Sequence, residues 1–272
     1  MRLYTTITRR ALVTLLLAGA LVGGTATPGQ SRRSVSPDDR DFLAPPETLN
    51  PPQPSVADEQ LFSNVVSHNE LRNASLRQYS VLRTYSVIDL NGKVHAKETV
   101  RLDYVAPDKK TFVKLSEEGS GIVRHLVLNR LMDSETAAAS GKEHHDSSLT
   151  PANYVFHLVG QEDLDGRHCF VVEAQPKRQD KYLFEGKVWI DSADFAVVKI
   201  AGHPARKLSF WISRADFVRQ YEKIGDFWFP AKDETIVDVR LYGKKILRIE
   251  HRTESINGGA FSGTANAAPP SP

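Results

Sequence analysis

The chain contains few polar side chains whose spacing could support metal binding. His144, His145 and Asp146 carry groups that ligate metals, but they are consecutive residues in a polar stretch. Side chains of adjacent residues rarely converge on one ion, and metal sites usually take ligands at helical or strand spacing with further ligands from elsewhere. We therefore interpret this triplet as a solvated loop, and we predict neither a metal nor another cofactor.

The motifs of common enzyme classes are absent from the sequence. It holds no Gly-x-Ser-x-Gly nucleophile elbow, no phosphate-binding Walker loop and no His-Glu-x-x-His pair. Cys169 is the only cysteine and lies in an apolar run, so it is expected to be a small buried core residue rather than a reactive thiol. These features predict a protein that is not an enzyme and has no catalytic residues.

Aromatic residues form the most distinctive group in the chain, and many fall on one face of the predicted strands. Such residues either pack an ordinary core or line a slot for an apolar ligand, and the sequence leaves both readings open. The aromatic residues concerned are Tyr104, Phe112, Tyr182, Phe184, Phe210, Trp211, Phe217, Phe227 and Phe229.

Two helices are predicted around a series of strands. The first begins after Ser55, a good N-cap, and places Leu61, Phe62, Val65 and Val66 on one face before it ends near Asn73. The second covers residues 122–139, where apolar residues recur at helical spacing.

From Tyr79 onwards the hydrophobic period changes to two, which indicates strands. Short turns join consecutive strands, so these strands must be antiparallel neighbours. Native twist curls a large antiparallel sheet. The expected fold class is mainly β with helices (α+β), a curved antiparallel half-barrel of about ten strands covered on its concave face by the two helices. The predicted strands are 79–87, 94–104, 111–115, 154–160, 169–174, 182–191, 195–201, 209–222, 227–241 and 245–254.

The N-terminus is typical of a secretory signal peptide at residues 1–26. Arg2, Arg9 and Arg10 precede an apolar run that is too short to span a bilayer, and small residues follow it. We predict a disordered Pro-rich linker at 27–55, a folded domain at 56–256 and a disordered tail at 257–272. The expected location is the periplasm. No lipid anchor is expected, because no cysteine lies directly after the apolar run, and no integral membrane segment is expected in the mature chain. Export through the Sec or the twin-arginine route stays open.

Charge excludes two classes of partner. The full chain has a formal net charge of +2, and removing residues 1–26 leaves 32 basic against 33 acidic residues, a net charge of −1. A near-neutral domain without a basic stripe has no electrostatic footprint for nucleic acid or for an anionic membrane surface.

The sequence also resembles a known superfamily in several segments. The run Val-Arg-Leu-Asp-Tyr-Val-Ala-Pro-Asp-Lys-Lys-Thr-Phe at 100–112 is similar to the second strand, proline turn and third strand of the periplasmic lipoprotein-carrier (LolA/LolB-like) superfamily. The segments 182–191, 194–200 and 221–230 resemble the outer-membrane lipoprotein-sorting protein group. Together they imply a LolA-like half-barrel over most of residues 56–254.

This resemblance implies a carrier for a lipid or for the acyl chain of a lipoprotein, held in a hydrophobic concavity. The alternative is an envelope module of the same fold that binds protein partners or senses stress. The residues expected to line the slot are Leu102, Tyr104, Phe112, Phe184 and Phe210, with Leu126 and Leu131 from the second helix.

Overall fold

A computed structural model describes residues 56–107, 109–125, 149–180, 182–207, 212–240 and 243–260. The elements in chain order are α1 (Val56–Ser75), β1 (Gln78–Asp89), β2 (Val94–Val105), β3 (Lys109–Gly119), α2 (Gly121–Val123), β4 (Tyr154–Leu164), β5 (Arg167–Pro176), β6 (Phe184–Asp191), β7 (Val197–Pro204), β8 (Ile212–Ile224), β9 (Phe227–Val239), β10 (Gly243–Ile256) and β11 (Gly259–Ala260).

All strands belong to one open antiparallel sheet in the order β3-β2-β1-β10-β9-β8-β7-β6-β5-β4, with β11 paired to β10. The two edge strands, β3 and β4, are therefore consecutive in the chain and lie on opposite sides of the sheet. β1, β2 and β3 follow one another to one edge of the sheet, and the chain then crosses to the other edge. From there β4 to β10 follow in order back towards the middle, where β10 pairs with β1. The predicted series of antiparallel neighbours is thus correct except at this one crossing.

Tight turns join most neighbouring strands. Between β1 and β2, the Asp89 carboxylate accepts hydrogen bonds from the backbone N–H groups of Asn91 and Lys93, and Gly92 takes a φ of +83°. A left-handed conformation of this kind favours glycine, which explains why the Asn-Gly pair marks the hairpin.

Helix α1 packs against one half of the sheet through the residues that the helical pattern selected. Leu61, Phe62 and Val65 are buried and Val66 is half-buried. The Phe62 ring stacks on Phe156 of β4 at 3.7 Å between centroids. The helix C-terminus is tied down because Arg72 donates to the backbone carbonyls of Asp194 and Phe195 in the β6–β7 turn.

The second predicted helix is present only in part among the described residues. Gly121–Val123 form one helical turn, with the Ser120 hydroxyl accepting from the Val123 N–H as a cap. Residues 126–139 of the prediction lie outside the described residues. No helix within the described part of the chain has the length and apolar character needed to cross a membrane.

Candidate functional site

The buried side chains form three apolar clusters. The first contains residues of α1 and of β4 to β9, among them Leu61, Phe62 and Phe184. The second lies on β1, β2 and β10, and the third joins the Tyr79 end of β1 to Phe229. Among the described residues, no side chain of α1 belongs to the second or third cluster, yet the members of these clusters are at most 8% exposed, so they are buried without contact to α1.

Helix α1 fills the space above the first cluster. Between the helix and the strands, the cavity bounded by Arg72, Tyr221 and Trp228 has a volume of only about 20 Å³, room for about one water molecule. Phe184 sits in this filled half, packed near the rings of Tyr154 and Phe217.

The predicted slot residues divide between these clusters. Leu102 and Tyr104 are buried in the third cluster, and Phe112 is half-buried and packs against both the second and the third. Phe184 lies apart from them in the first cluster. Leu126, Leu131 and Phe210 lie outside the described residues.

Ring contacts hold the third cluster together. Tyr79 lies 4.9 Å from Tyr104 and 5.2 Å from Phe229 between ring centroids, the second pair edge-on. Leu102 pairs across the strands with Phe112 on β3. The second cluster is continuous with this surface through Phe112, and Val123 of α2 packs against it.

A buried ionic centre, formed by Arg219, Asp233 and His251, crosses the middle of the sheet on β8, β9 and β10. Arg219 and Asp233 are each 2% exposed. The Arg219 Nε donates to one oxygen of Asp233, and His251 Nε2 lies 3.0 Å from the other. Both oxygens of the carboxylate are therefore engaged, which leaves no free base at this position.

The surroundings of the centre fix its charge state. Burial opposes the charge on Asp233, but Arg219 and His251 outweigh burial and hold the pKa of that carboxyl below its usual value. Burial lowers the pKa of His251 below its usual 6.5 despite the nearby Asp233. Burial also raises the pKa of the neighbouring Tyr221 phenol to about 12. The centre is thus an Arg–Asp ion pair with a neutral histidine.

Two buried hydroxyls near this centre, Thr235 Oγ1 and Thr253 Oγ1, have no hydrogen-bond partner among the described residues. The Tyr221 phenol interacts with the Arg219 guanidinium through a side-chain hydrogen bond and through charge. Positions in the middle of a sheet core are usually apolar, because each buried polar group without a hydrogen bond lowers the stability of the fold by about 1–3 kcal/mol. Polar character in the centre of an apolar face is a feature that aromatic patterning did not reveal.

The alternation of inward and outward residues along the strands could have predicted this ionic centre from the sequence. Arg219 has the same parity as the buried Ala215 and Phe217 on β8, and Asp233 has the same parity as Thr235 and Val237 on β9. The alternation that identified these strands therefore placed charged residues at inward positions.

The described residues contain no group of three or more histidine, cysteine, aspartate or glutamate side chains that could hold a metal ion. Cys169 is fully buried, as predicted, and burial raises the pKa of its thiol. The triplet at residues 144–146 lies outside the described residues.

No protein-family model matches the chain, and no curated protein matches its sequence. Solved structures with a similar fold do exist. The chain resembles LolA-superfamily structures. An outer membrane lipoprotein-sorting protein domain from Vibrio parahaemolyticus is 13% identical over 75% of this chain and 95% of its own, with a TM-score of 0.39.

Two further structures show a similar degree of likeness. A DUF1329 family protein from Desulfovibrio piger is 13% identical over 71% of this chain and 90% of its own, with a TM-score of 0.36. A LolA superfamily protein from Nitrosomonas europaea is 9% identical over 71% of this chain and 90% of its own, with a TM-score of 0.33. At this level the likeness concerns the fold alone and carries no argument about function.

Proposed function

We propose that the protein is an exported, non-catalytic carrier that binds the acyl chain of a lipid or lipoprotein on the apolar half of its sheet. The observation that supports this is the extent of the apolar face. Its second and third clusters, on β1, β2, β10 and neighbouring residues, receive no residue from helix α1.

Within this proposal, the acyl chain lies along Leu102, Tyr104 and Phe112, where the two clusters meet. Leu102 and Tyr104 are only 0% and 4% exposed, so the chain reaches them when the side chains that cover them move aside. Each methylene transferred from water to this surface contributes about 0.8 kcal/mol, so a long chain binds without polar chemistry. Leu126, Leu131 and Phe210 remain parts of the predicted lining, whereas Phe184, which packs in the first cluster beneath α1, lies outside the surface proposed here. The periplasm is the proposed location.

Two adjacent residues offer a sharp test with a matched control. Val123 packs against the second cluster, whereas the neighbouring Ile122 is 73% exposed. We expect Val123→Asp to weaken binding of a fluorescent fatty-acid probe by about tenfold or more, because the introduced carboxylate would have to be desolvated beside the acyl chain.

Ile122→Asp, the control, should leave probe affinity within about twofold, since a charge at an exposed position stays hydrated. Titration of the probe into each purified variant, with circular dichroism to check folding, gives both values. Equal affinities of the two folded variants would contradict the proposed position of the chain.

A second candidate function, an envelope protein-interaction module, is favoured by exposed apolar residues at the β4 edge. Leu158 and Val159 are 38% and 48% exposed beside an irregularity in the β4–β5 pairing. Exposed apolar residues on an edge strand suit addition of a partner strand. Under this alternative the wild-type chain binds no fatty-acid probe at all.

A further inference from the structure

The sequence of the edge strand β3 is complementary to itself when two copies run in opposite directions. Its first residues are Lys109 and Lys110, and its last charged residues are Glu117 and Glu118. Among the described residues, β3 pairs with β2 and with no strand on its other side. A second copy of β3 in antiparallel orientation would place the two lysines of each strand beside the two glutamates of the other.

An irregularity in the β2–β3 pairing makes this arrangement geometrically consistent. Val100 lies opposite Lys114 and Thr99 opposite Ser116, so Leu115 is an extra residue in β3. The extra residue shifts the alternation, and Lys110, Phe112, Lys114 and Glu117 then point to one face of the sheet. The ion pair of Lys114 with Glu117 agrees with this assignment.

A two-fold axis between antiparallel strands keeps each side chain on its own face, so facing residues must share a face. If Leu115 bulges out of both copies and the two-fold axis passes beside Val113, all facing residues of the two β3 strands lie on the same face of the sheet. The facing pairs are Val113 with Val113, Phe112 with Lys114, Thr111 with Ser116, Lys110 with Glu117, and Lys109 with Glu118.

The exposed side chains of β3 would gain from such contact. Val113 and Leu115 are 38% and 50% exposed on an edge that would otherwise face solvent. Facing strands satisfy each other's backbone N–H and C=O groups, and opposite charges directly across strands contribute about 0.2–1 kcal/mol per pair.

We propose that β3 is the contact through which two copies of this chain associate, forming one continuous sheet across a two-fold axis. Phe112 belongs both to this contact and to the proposed acyl-chain surface, but the dimer contact is tested below by charge changes that leave Phe112 unaltered.

Exchanging the charges of the facing residues tests the proposed register between the two β3 strands. The variant Lys109→Glu/Lys110→Glu places only glutamates along the contact, and Glu117→Lys/Glu118→Lys places only lysines there. We expect each variant alone to dimerise about tenfold or more weakly than the wild type in sedimentation equilibrium, because all four facing pairs become repulsive.

An equimolar mixture of the two variants restores every opposite-charge pair and should recover a heterodimer of near wild-type affinity. Simple loss of folding cannot produce that recovery. A wild-type chain that sediments as a monomer throughout the micromolar range, or a mixture that fails to associate, would overturn the proposal.

Discussion

Among single residues, those of the buried ionic centre are expected to make stability depend on pH. The groups that face His251 are Asp233 on β9, Arg219 on β8 and Arg83 on β1. Burial holds the folded-state pKa of His251 below 6.5, while the unfolded chain takes up this proton near 6.5. Below pH 6.5 the unfolded state therefore binds more protons, and stability falls as the pH decreases.

We expect the free energy of unfolding to decrease between pH 7 and pH 5, by no more than about 1.4 kcal/mol per pH unit from this group. His251→Gln keeps a donor for Asp233 and removes the titration, so its curve should be flatter. Urea denaturation at several pH values measures the effect, with the exposed His203→Gln as control. Identical pH slopes for His251→Gln and the wild type would contradict this role.

At the scale of elements, strand alternation and turn residues predicted most of the sheet. The predicted strand 94–104 is observed as Val94–Val105, and 169–174 as Arg167–Pro176. The pairing of β1 with β10 was not predictable in this way, because alternation reports which face a residue takes and not which distant strand lies beside it. The separation of Phe184 from Leu102 follows from that long-range order.

Strands β6 and β7 approach each other closely at a pair of glycines, and substitution of one glycine tests this packing. Gly186 on β6 faces Gly202 on β7, and a Cβ added at Gly186 would lie 2.1 Å from the Ala201 carbonyl oxygen. We expect Gly186→Ala to lower the free energy of unfolding by about 1–3 kcal/mol, because the backbones must separate.

The control is Gly121→Ala, where the nearest atom to an added Cβ is Arg124 Nη2 at 3.7 Å. That variant should unfold at nearly the wild-type denaturant concentration. A Gly186→Ala protein as stable as Gly121→Ala would show that β6 and β7 are not held this closely.

At the scale of the whole molecule, the apolar side chains of the sheet fall into two halves, one that helix α1 packs on and one on β10, β1 and β2. The half beneath α1 is closed by the helix, and the half on β10, β1 and β2 is the proposed binding surface. The sequence predicted an aromatic face but not its division, since the division depends on which strands the helix reaches. Charged residues at inward positions were available in the pattern and mark the boundary between the halves.

Native mass spectrometry of the chain purified without detergent shows whether it binds an acyl chain. We predict a co-purifying lipid, or a saturable adduct of one fatty acid per chain when long-chain fatty acid is added. A folded chain that carries no lipid and gains no adduct at any fatty-acid concentration would show that the protein is not an acyl-chain carrier.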